Sequence, residues 1–219
     1  MQDLIKQEQF EIEVLDFLNS KRILQNLVFC GGTMLRLCWE LDRYSVDLDF
    51  WLIREMDFGK LFKDMKTELS EHYKVKDSAN KYHTIIFELK SSTYPRSLKI
   101  EIRKEQKKIK VENAIAFSKF NNKQVLLKSV SLKDMMNAKI EAFLNRKEIR
   151  DVYDIEFMLK RGVPIETEKE NIHLLLKGIE SFTKKDYSVK LGSLIDAKRR
   201  KYYIENNFII LKRHLLNLL

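Results

Sequence analysis

The sequence predicts an α+β fold, in which a mixed sheet with helices is followed by a C-terminal helical region. Two observations favour this class. Apolar residues alternate with a period of two in several segments before residue 130, which is typical of strands. From there to the end of the chain the apolar residues follow helical spacing. We therefore expect a sheet-containing domain over residues 1–128 and a helical domain over residues 129–219.

In the first domain, predicted helices are interspersed with strands. The predicted helices cover Leu4–Leu18, Met34–Leu41 and Asp57–His72, and the predicted strands cover Leu27–Cys30, Val46–Leu52, Tyr82–Leu89, Leu98–Arg103 and Val125–Val130. The basic run Lys104–Lys110 precedes the last strand and is either a solvated loop or strand face, or a nucleic-acid contact. With only two Pro and six Gly in the chain, long irregular linkers are not expected.

The second domain is predicted to be helical throughout. Helical spacing covers Leu132–Leu159, Glu168–Ile179, Tyr187–Ala197 and Tyr202–Leu218. The densest basic run of the chain, Lys198–Lys201, lies next to Tyr202 and Tyr203. Such a run is either a solvated junction between helices or a nucleic-acid contact, in which bases stack on the aromatic rings.

Composition limits the classes of partner and compartment. The net charge of +9 and the pI near 9.3 favour a polyanionic partner, of which nucleic acid is the first candidate. Cys30 and Cys38 are too few for a disulfide scaffold and lack the nearby His residues of a zinc site. The N-terminus has no hydrophobic signal region and no apolar run reaches membrane-spanning length, so we expect a cytoplasmic protein without a membrane partner.

Two carboxylates and a glycine turn share one short stretch, Phe29–Trp51. Asp47 and Asp49 are two apart in a predicted strand, so their side chains point to the same face. Carboxylates this close repel each other unless a cation lies between them, and Mg²⁺ is the usual cation for oxygen ligands that face phosphate. Gly31 and Gly32 form a turn at a helix N-terminus, where backbone N–H groups bind phosphate. The stretch predicts a magnesium and triphosphate site.

Other residues near this stretch extend the predicted site. Thr33 is placed to cap the helix Met34–Leu41, with its hydroxyl directed to an orphan N–H or to a phosphate. Arg43 and Ser45 fall in the connection to the acidic strand, and the guanidinium either contacts the carboxylates or the triphosphate or forms a structural ion pair. Glu101 is a candidate third metal ligand, or else an exposed residue between two basic neighbours.

These residues resemble a known family. The sequences Gly31-Gly32-Thr33, Arg43-Tyr44-Ser45 and Asp47-Leu48-Asp49-Phe50 are similar to those of nucleotidyltransferases of the AbiEii/AbiGii toxin type, within the DNA polymerase β-like superfamily. The resemblance implies a polymerase β-like core over residues 1–128. Such enzymes carry a third acid on a neighbouring strand, and Glu101 matches that position by its order along the chain.

A second block of resemblance lies within Leu132–Leu159. Its residues are Lys139, Arg146, Arg150, Asp151, Tyr153 and Asp154, with Ala138 where the family carries Glu. Seven residues separate Lys139 from Arg146, so both stand on one helical face two turns apart. We expect Lys139 and Arg146 to bind the triphosphate and Asp151 to orient Lys139, Arg150 or the attacking hydroxyl. Tyr153 and Asp154 are expected to be structural.

Taken together, the residues and the resemblance predict a metal-dependent nucleotidyltransferase. It would move a nucleotide from a nucleoside triphosphate to an acceptor hydroxyl and release pyrophosphate. The resemblance implies a toxin of a toxin–antitoxin pair, with a cognate antitoxin protein as partner and RNA, tRNA in particular, as a candidate acceptor. Two alternatives use the same fold: an enzyme that modifies a small molecule such as an antibiotic, and an RNA-binding protein without turnover.

Overall fold

The structure, a computed structural model, describes residues 2–219 and confirms the α+β class. The chain folds as two compact units. The first consists of residues 1–40 and 44–131, and the second of residues 41–43 and 132–219. The short segment Leu41–Arg43 therefore groups with the helical part of the chain although it lies between two elements of the sheet-containing part.

The first unit contains a mixed seven-stranded sheet with the strand order β3-β4-β5-β2-β1-β7-β6. Its strands are β1 Leu27–Cys30, β2 Asp47–Leu52, β3 Lys74–Asn80, β4 Thr84–Lys90, β5 Leu98–Arg103, β6 Val111–Ser118 and β7 Asn121–Val130. Strand β2 lies at the centre, antiparallel to β1 and parallel to β5. The predicted acidic strand, β2, therefore has a hydrogen-bonded strand on each side.

Two strands, β3 and β6, were not predicted from the sequence, and they form the two edges of the sheet. The sequence of β3, K-V-K-D-S-A-N, has no apolar alternation because an edge strand that is largely exposed needs none. In β6 the apolar residues Val111, Ile115 and Phe117 are exposed, so its pattern is the reverse of a core-facing strand. Both strands are identified by their pairing with β4 and β7.

Apolar and polar side chains alternate along the central strands, so the sheet has a buried face and a polar face there. In β2 the side chains of Leu48 and Phe50 are buried, and in β5 the side chains of Ile100 and Ile102 are buried. The intervening residues of β2, Asp47 and Asp49, are only partly buried and point to the opposite face. Burial of the apolar face therefore determines where the carboxylates lie.

Among residues 2–219, three α-helices belong to the first unit and five to the second. They are α1 Gln2–Ser20, α2 Gly31–Trp39, α3 Phe58–His72, α4 Leu132–Arg146, α5 Ile149–Lys160, α6 Lys169–Glu180, α7 Ala197–Asn206 and α8 Ile209–Asn217. Within residues 2–219, no helix has the length and apolar character needed to cross a membrane.

Two helix predictions for the second unit were wrong. The predicted helix Tyr187–Ala197 is a π-helical turn over Asp186–Leu191 followed by a break, because Asp196 caps a new helix by accepting a hydrogen bond from the backbone N–H of Arg199 at 2.9 Å. The predicted helix Tyr202–Leu218 is divided at Asn207 and Phe208, whose φ angles of +44° and +50° end α7 before α8 begins.

Candidate active site

The centre of the first unit carries a row of carboxylates on adjacent strands. Asp49 on β2 pairs in register with Glu101 on β5, and Asp47 pairs with Lys99. Residues paired in register on neighbouring strands point to the same face of a sheet. Three carboxylates and the Lys99 ammonium therefore share the polar face, as expected for Asp47 and Asp49 from their spacing.

Gly31 lies directly against the Asp49 carboxylate. Its φ of +80° lies in the left-handed region, and a Cβ atom at this position would lie 2.6 Å from Oδ2 of Asp49. Only glycine allows both the backbone conformation and this close approach. The start of α2, where the first backbone N–H groups have no partner within the helix, therefore lies directly beside Asp49.

The prediction that Thr33 caps the following helix is wrong. Helix α2 already begins at Gly31 with Cys30 as its N-cap, so Thr33 lies inside the first turn. The side chain of Thr33 is fully buried, and its hydroxyl donates a hydrogen bond of 2.5 Å to the backbone carbonyl of Asp47. This bond holds α2 against the first residue of β2, so Thr33 positions the acidic strand. Ser45 is half-buried in the loop that leads into β2.

Lys99 contributes positive charge to the acidic face. Its ammonium donates to Oε2 of Glu101 at 2.6 Å, and Arg103 approaches the other oxygen of Glu101 at 3.9 Å. The hydrogen bond to Glu101, together with the negative charges of Asp47 and Asp49, raises the pKa of Lys99. The carboxylates of the polar face therefore favour a positive charge beside them, which here is the Lys99 ammonium.

The residues on the acidic face fit a magnesium ion that arrives with phosphate. Within residues 2–219, no three His, Cys, Asp or Glu side chains are arranged to hold a metal ion on their own. Mg²⁺ commonly takes one or two carboxylates and completes its coordination with water and substrate phosphates. Asp47 and Asp49 on one strand face would supply the two carboxylates, and Glu101 lies in register with Asp49 on the neighbouring strand.

A buried polar cluster joins α1, α2 and β6, and it was not predicted from the sequence. Arg36 forms an ion pair with Glu8, whose other oxygen accepts a 2.5 Å hydrogen bond from Ser118. Glu11 is fully buried and neither of its carboxylate oxygens has a hydrogen-bond partner. Burial, followed by the charge of Glu8, raises the pKa of Glu11, and Asp47 adds a smaller effect in the same direction.

The helical spacing of the sequence contains a signal for this cluster. Leu4, Glu8, Glu11 and Leu15 follow the i, i+4, i+7 spacing of one helical face, so two carboxylates interrupt an apolar stripe. All four residues are buried. An acidic residue in such a stripe indicates a buried polar role, which the apolar pattern alone did not reveal.

The second unit holds a buried ion-pair network. The Lys139 ammonium lies 3.3 Å from Asp151 and 2.7 Å from Asp154. Arg43 donates to both oxygens of Asp154 at 2.6 and 2.7 Å, and Arg146 donates to both oxygens of Asp151 at 2.7 Å. Although burial opposes it, the charges of Arg43 and Lys139 hold the pKa of Asp154 below its usual value.

Three cations pair with two carboxylates in this network, and the charge of Glu148 also acts on Arg146. Lys139 and Arg146 share a helical face, as their spacing predicts, and both contact Asp151. Of the alternatives predicted for Arg43, the structure shows the structural ion pair, because Arg43 is buried and its guanidinium contacts both oxygens of Asp154. Arg146 keeps 43% of its side chain exposed.

Part of the basic run Lys198–Lys201 forms ion pairs within the second unit. Arg199 forms ion pairs with Asp42 and with the helix cap Asp196. Tyr153 donates a 2.5 Å hydrogen bond to Asp42. The structure therefore uses Arg199 and Tyr153 to hold the segment Leu41–Arg43, which weakens the interpretation of the whole run as a nucleic-acid contact.

The comparison with protein families gives one decisive match. The sequence profile described as Nucleotidyl transferase AbiEii toxin, Type IV TA system, matches residues 17–203. The chain belongs to this AbiEii family. It is accordingly a nucleotidyltransferase of a family of toxins in toxin–antitoxin systems, and the family implies a nucleoside triphosphate substrate and an antitoxin partner.

Solved structures support the fold of this AbiEii-family chain. A candidate nucleotidyltransferase from Helicobacter pylori superposes with a TM-score of 0.54 at 17% identity, covering 96% of this chain and 97% of that one. The protein JHP933, also from H. pylori, gives a TM-score of 0.54 at 17% identity, with coverage of 95% and 94%. Comparison with curated proteins gives no match.

Substitution of Gly31 by Ala is expected to impair both stability and nucleotide transfer of this AbiEii-family enzyme. Alanine at positive φ costs about 1 kcal/mol, and its Cβ would displace the Asp49 carboxylate. Gly162→Ala is the matched control, because Gly162 has a φ of +81° and open space around its Cβ position. Thermal unfolding and transfer assays of both variants separate backbone strain from displacement of Asp49. Equal losses in the two variants would contradict the proposed contact.

Glu11→Gln is expected to stabilise the protein at neutral pH. A raised pKa means that the folded state retains a proton that the unfolded chain releases. The stability contributed by protonated Glu11 is therefore complete below the unfolded pKa of about 4.5 and is lost as the pH rises toward the folded pKa. We expect the variant to gain about 2–4 °C in Tm at pH 8, the equivalent of about 1 kcal/mol, and nothing at pH 4.5. The exposed Glu55→Gln should show no such pH dependence.

Proposed function

We propose that this AbiEii-family enzyme uses Mg²⁺ to transfer a nucleotide from a nucleoside triphosphate to a hydroxyl of RNA, with tRNA as a candidate acceptor, and releases pyrophosphate. The observation that carries the proposal is the position of Gly31. Its backbone and the start of α2 lie against the Asp49 carboxylate, so phosphate-binding N–H groups and metal-binding carboxylates adjoin. This juxtaposition suits a triphosphate with its metal ion.

The first unit supplies the groups for metal and phosphate in this proposal. Asp47 and Asp49 hold Mg²⁺, and the backbone of Gly31 and Gly32 lines the triphosphate at the positive end of α2. When bound, Mg²⁺ neutralises phosphate charge and stabilises the charge that develops during transfer. Thr33 maintains the position of Asp47 through its hydrogen bond to the Asp47 carbonyl.

Glu101 is proposed as a third oxygen ligand. Its register with Asp49 supports this role, and its 2.6 Å contact with Lys99 indicates that it attracts a cation. In this structure the Lys99 ammonium compensates the charge of the carboxylates, which would hold the metal ion. The half-buried Ser45, in the loop before Asp47, is retained as a proposed substrate contact.

The second unit is proposed to contribute positive charge. Lys139 and Arg146 are retained as triphosphate-binding residues, and the 43% exposure of the Arg146 side chain supports this role for Arg146. Asp151 contacts both cations and is therefore proposed to orient them rather than to act on the acceptor. A fixed cation stabilises a transferring phosphoryl group without reorganisation at the moment of reaction.

In the reaction, the acceptor hydroxyl oxygen forms a bond to the α-phosphorus while the bond from that phosphorus to the β-phosphate bridging oxygen breaks. Pyrophosphate leaves, and the hydroxyl proton passes to solvent.

RNA is favoured as acceptor because residues 74–110 contain eleven Lys and Arg residues against four Asp and Glu residues. This segment therefore carries a net charge of +7 out of the chain's +9.

The test is incubation of the protein with each α-labelled nucleoside triphosphate, Mg²⁺ and total cellular RNA, followed by electrophoresis and detection of pyrophosphate. We expect label to enter RNA with one or more triphosphates, and the transfer to stop when EDTA is added. Label that enters only an added small hydroxylated compound would replace RNA by a small-molecule acceptor. Absence of transfer to any acceptor would overturn the proposal.

A further inference from the structure

We propose that the first unit carries a second nucleotide site, separate from the acidic face, which binds one nucleoside phosphate without a metal ion. The site is an open pocket of about 570 Å³ between α1, the loop that joins β4 to β5, and the turn that joins β6 to β7. Pockets for small ligands have volumes of roughly 300–1,000 Å³, so the space suits one nucleotide. This site is independent of the proposed nucleotidyl transfer.

The charges of the pocket differ from those of the acidic face. Among the described residues, its lining contains Lys6 but no Asp or Glu, and it shares no residue with the acidic face. Lys6 is exposed, and within residues 2–219 no carboxylate forms an ion pair with its ammonium. An ammonium donates up to three hydrogen bonds and binds phosphate as a point charge. Because the lining offers no carboxylate to Mg²⁺, the pocket binds the phosphate directly.

Two aromatic rings line the pocket, and the fold holds both in place. Tyr94 stacks on Phe10 with the ring centroids 4.6 Å apart, and its hydroxyl donates a 2.7 Å hydrogen bond to Glu13. Phe120 is held through its backbone carbonyl, which accepts a 2.6 Å hydrogen bond from Nε2 of Gln9. Fixed aromatic rings suit a nucleobase, since every base has an aromatic face that stacks on them.

Side-chain amides of the lining supply both acceptors and donors for the edge of a base. Gln9 uses Nε2 for the carbonyl of Phe120, which leaves its Oε1 as an acceptor. Asn121 uses Oδ1 to accept from the backbone N–H of Lys123 at 3.0 Å, which leaves its Nδ2 as a donor. The exposed Asn122 has both kinds of group. Rings for stacking, amides for the base edge and a cation for the phosphate together match a nucleotide.

The test measures binding of AMP, GMP, CMP and UMP to the isotope-labelled full chain in the presence of EDTA, through shifts of backbone amide resonances. We expect at least one nucleotide to bind with a Kd below about 1 mM and to shift residues 6–9, 93–94 and 120–122. Absence of binding by all four, or shifts confined to residues 31–33 and 47–49, would overturn the proposal. EDTA separates this result from the proposed transfer, which requires Mg²⁺.

Two pairs of variants test the roles of the ring and the cation. Phe120→Leu removes the ring and Lys6→Gln removes the charge, and each is expected to raise Kd by about tenfold. Phe120→Tyr keeps the ring, and Lys63→Gln removes an exposed cation from α3 with the same change in net charge, so both should stay within about twofold of the wild type. Equal Kd values for all four variants would contradict the assigned pocket.

A free nucleotide and an unpaired unit of an RNA chain present the same chemistry to this pocket. A trinucleotide of the base that binds best distinguishes the two sources. Binding about tenfold tighter than that of the mononucleotide, with the same residues shifted, would assign the pocket to RNA. Equal or weaker binding of the trinucleotide would assign it to a free nucleotide.

Discussion

Asp49→Asn is expected to reduce nucleotide transfer by at least about a thousandfold while the fold stays intact. Loss of one metal-binding carboxylate removes several kcal/mol of transition-state stabilisation, and each 1.36 kcal/mol corresponds to a factor of ten. Asparagine keeps the shape of the side chain against Gly31 and removes its charge. Because Asp47, Asp49 and Glu101 repel one another, the unloaded variant should be at least as stable as the wild type.

The matched control is Asp64→Asn, which removes an exposed carboxylate from α3 with the same change in net charge. Both variants are assayed for transfer of labelled nucleotide. Their Mn²⁺ binding is monitored through the paramagnetic resonance signal of the ion. We expect only Asp49→Asn to lose Mn²⁺ binding in the presence of triphosphate. Transfer at the wild-type rate by Asp49→Asn in Mg²⁺ would contradict the metal assignment.

Lys139→Met is expected to lower the free energy of unfolding by about 3 kcal/mol, the lower end of the range for breaking a buried ion pair. The lower end applies because Arg43 and Arg146 still pair Asp154 and Asp151. Methionine retains most of the apolar stem, so the loss reports on the charge rather than on a cavity. Denaturant unfolding followed by circular dichroism measures this change.

Lys133→Met serves as the control in the same helix, because Lys133 is exposed and its ion pair with Glu166 lies at the surface. Such pairs contribute about 0–1 kcal/mol. Below the unfolding transition of the variants, triphosphate binding should weaken far more in Lys139→Met than in Lys133→Met. Equal effects of the two changes on binding would make Lys139 a structural residue only.

Several features follow from the sequence alone because they depend on local periodicity. A period of two puts Asp47 and Asp49 on one face of a strand whatever its neighbours are, and the buried alternation of Leu48 and Phe50 confirms the strand. A spacing of seven puts Lys139 and Arg146 on one helical face for the same kind of reason. The α+β class also follows, since it needs only the change from one period to the other.

The neighbours of these residues are decided by tertiary structure. The pairing of Arg43 with Asp154 joins residues 111 positions apart, and no local pattern specifies that contact. Glu101 and Lys99 reach the acidic pair only because β5 pairs with β2 in parallel, which depends on the whole strand order.

The buried polar residues of α1 illustrate the same limit. Helical periodicity shows that Glu8 and Glu11 share a face with Leu4 and Leu15, but it does not show what that face meets. Packing provides Glu8 with Arg36 and Ser118 and leaves Glu11 without a hydrogen-bond partner among residues 2–219. Local sequence determines the direction in which a side chain points, whereas the free energy of that side chain depends on distant residues that only the folded chain brings into contact.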